Sequence, residues 1–366
     1  MIKLSIKRCG KKVDFHSHFL SPTYYQYLKE YEAERPDRFE TPDWSLESHL
    51  KQMDRLGIAF SFISVSSPNL SGAPEEVEVR LVRQINQEGA GYARSEPKRI
   101  GLYASLPLPH VEASIREAEY AIRELGAFGF GLSTNYAGTY LGDPKYDALL
   151  EYLNGISAVI AVHPAAAPVE PEVNKTVPIP AMEFLVETTR TFMNMEMHDI
   201  FSRYPAIRWI FPHAGSFLPI LSDRINGFSV IMRHDNPGLA LNFKEDMRHV
   251  YFDCAGFPLQ KQLHALLKDV TTENLVYGSD VPYTPMLGCL ALSGGLETLA
   301  GLSDTDRQRI FYGNALALHP QLAELLELPS TMAHTVNYAE NPLSLRNRLQ
   351  QLPRAVISKL YGKLFK

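Results

Sequence analysis

The sequence predicts an α/β protein, a (β/α)8 TIM barrel with loop insertions and a C-terminal helical extension. Three observations predict it. Short runs rich in β-branched and aromatic residues recur along the chain, each followed by a longer amphipathic stretch. Strand alternating with helix argues for a parallel sheet, and eight such units can close on themselves. No GxGxxG or GxxxxGK(S/T) loop follows the first run, which weighs against an open doubly wound sheet with a nucleotide site. Polar residues gather instead at the ends of several different runs, as they do at a barrel mouth.

In order, the expected strands are VDFHSHF (13–19), FSFISVS (60–66), RIGLYASLP (99–107), AFGFGLST (127–134), AVIAVHP (158–164), IRWIFPHAG (207–215), HVYFDCAG (249–256) and NLVYGSD (274–280). Between them, segments such as Ser45–Gly57 and Val111–Gly126 space apolar residues at three and four and stop at glycine, as helices do. Two insertions are expected to border the mouth: Pro22–Trp44 after the first strand, polar and aromatic, and the proline-rich Ala165–Pro180 after the fifth. The barrel is assigned to residues 1–320 and a basic helical appendage to 321–366, where Asn341–Lys366 carries six Lys or Arg and no acid. A packing helix with a solvated basic face is expected there ahead of membrane contact, because Pro353 and Gly362 break the apolar stripe.

At 366 residues with 45% hydrophobic and 21% charged side chains, the chain can bury a large core. A net charge of -5 gives no basic field for phosphates, so nucleic acid is excluded as a partner. Cys9, Cys254 and Cys289 are far apart and form no CxxC pair, which indicates neither a disulfide framework nor a thiolate zinc site. The first dozen residues contain no apolar run of signal-peptide length, and no stretch approaches a membrane span. A cytoplasmic protein is expected.

The chemistry sits at the strand ends. In VDFHSHF, strict alternation points Asp14, His16 and His18 one way and Phe15, Ser17 and Phe19 the other, so two imidazoles converge at the end of strand one. A barrel interior does not bury two such rings without a partner or a metal. His163 ends strand five, His213 ends strand six and Asp280 ends strand eight. Singly each has an ordinary structural reading, a capping or surface role, and for Asp280 a helix N-cap. Together they describe a barrel active site.

Imidazoles and a carboxylate suit one divalent ion, zinc ahead of manganese, with iron less suited because no redox partner is visible. Such an ion opens both hydrolysis and decarboxylation. Two-metal hydrolases of this architecture bridge their ions with a carboxylated lysine at strand four. Here that strand ends Leu132-Ser133-Thr134-Asn135. A single ion is expected, with His213 and Asp280 as acid and base.

Over roughly Val13–Pro320 these motifs resemble the amidohydrolase superfamily, in particular the branch of amino-carboxymuconate-semialdehyde decarboxylase and its relatives acting on 6-methylsalicylate, γ-resorcylate or uracil-5-carboxylate. The supports are VDFHSHFLSPTYY, AVHP, VPIPAMEFLVETT, HAGSFLPILSDRI and YGSDVPY. The resemblance implies that His16, His18, His163 and Asp280 hold the metal and that His213 stands beside it. It also implies that Arg224 reaches the substrate carboxylate of a neighbouring subunit, hence a homodimer or homotetramer. Asn135, Phe184, Phe217 and Tyr283 are the further candidate substrate contacts, and Phe19 is another aromatic placed near the mouth. Where the semialdehyde enzyme carries arginines, this chain has His49 and Lys51, which favours a substrate with one carboxylate.

The implied function is metal-dependent, non-oxidative decarboxylation of a small aromatic or heterocyclic carboxylic acid. A mononuclear hydrolase of an amide, ester, lactone or carbon-carbon bond is the alternative, and a catalytically idle metal-binding barrel ranks last.

Overall fold

The computed structural model describes residues 11–169, 176–235 and 241–327. Each expected strand forms: β1 (Lys12–His18), β2 (Ile58–Ser64), β3 (Ile100–Ala104) and β4 (Gly129–Ser133), then β7 (Val159–His163), β8 (Arg208–Phe211), β9 (Tyr251–Asp253) and β10 (Leu275–Val276). The small antiparallel pair β5 (Asn135–Tyr136) and β6 (Thr139–Tyr140) lies outside this series. The eight longer-range strands form one sheet in the order β1-β2-β3-β4-β7-β8-β9-β10. Every pairing in it is parallel. Parallel bridges Asp14–Tyr277 and Ser17–Val281 bring the last strand's continuation back to β1 and close the barrel.

Helices cover the outside because their local signals agree with their length. The Leu46–Leu56 helix starts at a capping box of Ser45 with Ser48 and stops at Gly57, whose φ of 72° is left-handed. The insertion after β1 also becomes helical. Ser21 caps Pro22–Tyr31, with proline in the first turn where its missing N–H is harmless.

Two apolar layers result. The larger joins the outward strand faces to the helices. The smaller fills the lower barrel with Val13, Phe15, Phe60, Phe62, Tyr103 and Val276, and is sealed from below by Leu316, Leu318, Leu322 and Leu326. Residues 321–327, the start of the expected appendage, therefore pack beneath the barrel floor. The rest of it, with its basic stretch, lies outside the described residues.

Strict alternation fails in β1. Asp14 pairs with Ser61 and Ser17 with Ile63, so three steps on β1 oppose two on β2. This one-residue bulge puts Phe15 among the floor aromatics while His16 and His18 both reach the mouth. Asp14 parts from the histidines; its carboxylate accepts from the Ser279 hydroxyl at 2.5 Å and the Ser279 amide at 3.0 Å.

Candidate metal centre and the cavity above it

At the C-terminal end of the strands the rings of His16, His18 and His163 meet edge to face, with centroids 5.0 Å (His16–His18), 5.3 Å (His16–His163) and 4.7 Å (His18–His163) apart. One nitrogen from each lies within 4.8 Å of the other two. His213 joins them, 5.2 Å from His16 between centroids. Asp280 Oδ1 stands 3.5 Å from His16 Nε2 and 3.6 Å from His18 Nε2. Two ligands each about 2.1 Å from one tetrahedral ion are themselves about 3.4 Å apart, so these separations suit a shared ion.

The other nitrogen of each ring decides which one is free. His16 Nδ1 lies 2.7 Å from Asp253 Oδ2, His18 Nδ1 3.4 Å from the Ser64 hydroxyl, and His163 Nε2 3.5 Å from the Ser66 hydroxyl. His16 Nε2, His18 Nε2, His163 Nδ1 and His213 Nδ1 are left buried without a hydrogen-bond partner. Orphaned buried nitrogens are costly. The nitrogens of His16, His18 and His163 are close enough together to hold a divalent ion, and Asp253, Ser64 and Ser66 fix the orientation of these rings.

The electrostatics follow. Burial alone would lower the His16 pKa, but the Asp253 carboxylate outweighs it and lifts the ring to about 9. His163 has no such partner, and burial together with the neighbouring imidazoles takes it well below the ordinary value. Burial works to raise Asp280, yet the surrounding imidazoles overcome it and keep the carboxylate ionised.

The backbone is tightly held here. His213, Ala214, Ser216 and Asp280 take φ of 55°, 48°, 57° and 62°, a region non-glycine residues seldom adopt and one that clusters at functional sites. The Asp280 amide donates to the His16 carbonyl at 2.7 Å, tying the end of the last strand to the first. Gly278 is required by close approach, since a Cβ there would sit 2.8 Å from that of His16.

Asp253, at the end of β9, has no part in the ligand set read from sequence, yet it organises the site. Besides His16 it accepts from the amides of His213 at 3.0 Å and Ala255 at 2.9 Å. Its signal was the one that marks Asp280, an acid ending a strand, in HVYFDCAG.

Above the cluster opens a cavity of about 550 Å³, lined at its inner end by His163, His213 and Asp280 and farther out by Phe184, Tyr283 and Phe257. The insertion after β1 supplies Leu28, Pro36, Asp37 and Phe39 to its wall, and the loop before the Ile179–Met197 helix supplies Pro178. Both insertions thus border the mouth. Of the expected substrate contacts, Phe184 and Tyr283 line this cavity. Asn135, Phe217 and Arg224 do not. Asn135 donates to the Ala166 carbonyl, and Arg224 lies on the exposed face of the Leu218–Asp235 helix with its guanidinium 5.0 Å from the Phe228 ring centre. Phe19 is buried against Trp44 and Tyr92. Lys51 is on the surface beside Glu47, and His49 is fully buried with Nε2 3.3 Å from the Ser61 hydroxyl. Neither lines the cavity.

Comparison with known proteins agrees with this architecture. The amidohydrolase family model matches residues 13–320. A decarboxylase of Aspergillus niger is 31% identical over 75% of this chain and 78% of its own length. The 6-methylsalicylic acid decarboxylase of Penicillium expansum is 29% identical over 86% of this chain and 98% of its own. Among solved structures, an amidohydrolase II shares 36% identity with a TM-score of 0.80, covering 84% of this chain and 99% of that one. A dihydroxybenzoic acid decarboxylase from Polaromonas sp. with bound manganese shares the fold, at 20% identity and a TM-score of 0.73, covering 87% of this chain and 99% of that one.

Proposed function

This chain belongs to the amidohydrolase family, and from that premise we propose that it is a metal-dependent decarboxylase of a small aromatic carboxylic acid. The observation that carries the reading is the set of four unpartnered imidazole nitrogens facing Asp280 at the inner end of a mainly apolar cavity. His16, His18, His163 and Asp280 would hold one divalent ion, zinc ahead of manganese on the chemistry of three imidazoles and a carboxylate. When bound, that ion supplies positive charge that fixes the substrate carboxylate and an adjacent oxygen.

The residues of the chain do the rest. Phe184 and Tyr283 flank the space a ring would occupy beside His163 and Asp280, and the apolar walls keep bulk water from the reacting carbon. The bond from ring carbon to carboxyl carbon breaks, the ring carbon takes up a proton, and carbon dioxide leaves. Asp280 is ionised and brings no proton of its own, so the proton comes from the substrate's own carboxyl or hydroxyl group and would reach the ring carbon by way of His213 or Asp280, both of which line the cavity.

Three further readings accompany this one. A homodimer or homotetramer is supported by the exposed face of the Leu218–Asp235 helix, where Ile220, Phe228 and Ile231 are 62%, 49% and 49% accessible around Arg224. A division between a barrel at 1–320 and an appendage at 321–366 is supported by the family match, which ends at residue 320. A cytoplasmic setting is supported by the free thiols of Cys254 and Cys289; among the described residues no helix is long and apolar enough to cross a membrane.

The test is elemental analysis of the purified protein joined to carbon dioxide release from hydroxybenzoates and methylsalicylates. About one zinc or manganese per chain with carbon dioxide evolved is expected. Bound metal without carbon dioxide from any of these acids would return the chain to the hydrolase reading.

A further inference from the structure

The cavity is larger and less polar than a bare ring acid needs. Pockets of about 300–1,000 Å³ hold drug-sized molecules, and a monocyclic hydroxy acid fills roughly a third of the 550 Å³ present here. The inner end, at His163, His213 and Asp280, accounts for the carboxylate and its neighbouring oxygen. The remaining space is an outer chamber walled by Leu28, Phe39, Ala181, Leu185 and Phe257.

The charge of the chamber sharpens the point. Among the described residues no lysine or arginine lines the cavity, and apart from Asp280 its one acidic side chain is Asp37. A second carboxylate placed there would lose its hydration without gaining a counter-charge from the described residues that line it. An apolar group gains by leaving water. Phe257, 77% exposed, lines the cavity and offers a large apolar face to whatever occupies it.

We propose that the substrate is a ring carboxylic acid with an extended apolar substituent, an alkyl- or alkenyl-hydroxybenzoate, whose tail lies in the chamber between Leu28, Phe39, Ala181 and Phe257. This rests on the decarboxylase reading, which fixes the carboxylate end. It goes beyond that reading by assigning the other end of the molecule.

The experiment uses the zinc-loaded full chain and a series of 6-alkylsalicylates from methyl to heptyl, with 6-carboxyalkyl analogues as controls. Carbon dioxide release gives kcat/KM, and calorimetry gives Kd for the same acids. Each added methylene is expected to raise kcat/KM about threefold until the chamber is full, chiefly through KM. The carboxyalkyl analogues are expected to be poorer than the alkyl acids of equal length. Ala181→Trp, a substitution at an exposed position that narrows the chamber, should cut the pentyl-to-methyl preference at least about tenfold.

The two readings fail differently. Carbon dioxide released at equal efficiency from methyl and pentyl acids overturns the chamber and leaves the decarboxylase standing. Length-dependent binding without carbon dioxide does the reverse. Preference for the carboxyalkyl analogues overturns the chamber and brings in a cation from outside the described lining residues.

Discussion

His163 at the mouth of the barrel and His319 at its floor are buried to similar degrees, 8% and 3% exposed, and differ in what surrounds them. His319 Nε2 lies 2.7 Å from the Tyr103 hydroxyl, and its ring rests against Phe15, Phe62 and Phe128. His163 has an orphaned Nδ1 and other imidazoles for neighbours. A ring held by one short hydrogen bond among phenyl groups is packing, whereas a ring with a buried orphaned nitrogen among imidazoles and a carboxylate fits a metal site. Burial alone does not separate the two. What surrounds the ring does.

The strongest way to break that contrast is to truncate each ring in turn. His163→Ala is expected to strip the ion and lower turnover about a thousandfold or more, while the metal-free protein unfolds at nearly the wild-type denaturant concentration. His319→Ala should keep a full complement of metal and lose about 2–4 kcal/mol of stability, because it opens a hole among the floor aromatics and leaves the Tyr103 hydroxyl unpaired. Metal analysis and urea titration read both. Metal retained in His163→Ala, or lost in His319→Ala, would erase the distinction.

A smaller effect is expected where the mouth is held rather than formed. Asp253→Ala removes the acceptor for His16 Nδ1 and for the His213 amide, and metal affinity measured by chelator competition should fall about 10- to 100-fold. Asp253→Asn, which keeps an acceptor oxygen but not the charge, should recover part of that loss. Unchanged affinity in the alanine variant would mean that His16 needs no such support.

The smallest effect concerns the floor and acid. Burial lowers the His319 pKa from 6.5 to about 3, so the folded chain stays neutral there while the unfolded chain takes up a proton. Between those values the unfolded state binds more protons. Stability from this residue is therefore fully present above about pH 6.5 and declines as pH falls, by at most about 1.4 kcal/mol per unit. In metal-free protein, urea midpoints from about pH 6 down to about pH 4 should fall less steeply for His319→Leu than for wild type. Parallel slopes would show that His319 titrates normally in the folded state.

Most of the fold was legible because its signals are local. Eight runs of strand composition, glycine stops and a serine cap each describe their own few residues, and the ends of β1, β7, β8 and the segment after β10 carried His16, His18, His163, His213 and Asp280 in plain view. What escaped depends on neighbours distant in sequence. The bulge in β1 is set by its register with β2, so alternation misplaced Asp14. Asp253 gains its meaning only beside His16, and His319 only beside Tyr103, separations of 237 and 216 residues. Asn135, Phe217 and Arg224 are near the cavity wall in sequence but do not line it, because a residue's place on a helix or loop does not fix which way the element turns it.

The seal beneath the floor has a practical side. Lys11 Nζ donates to the carbonyl of Leu326, so residues 11 and 326 lie side by side beneath the barrel floor, on the face opposite the cavity. A bead, an electrode linker or a fused carrier attached at either of these points would leave the mouth turned toward solution. The same adjacency makes residues 11 and 326 natural points to join in a circular permutant, with the new opening cut elsewhere on the surface.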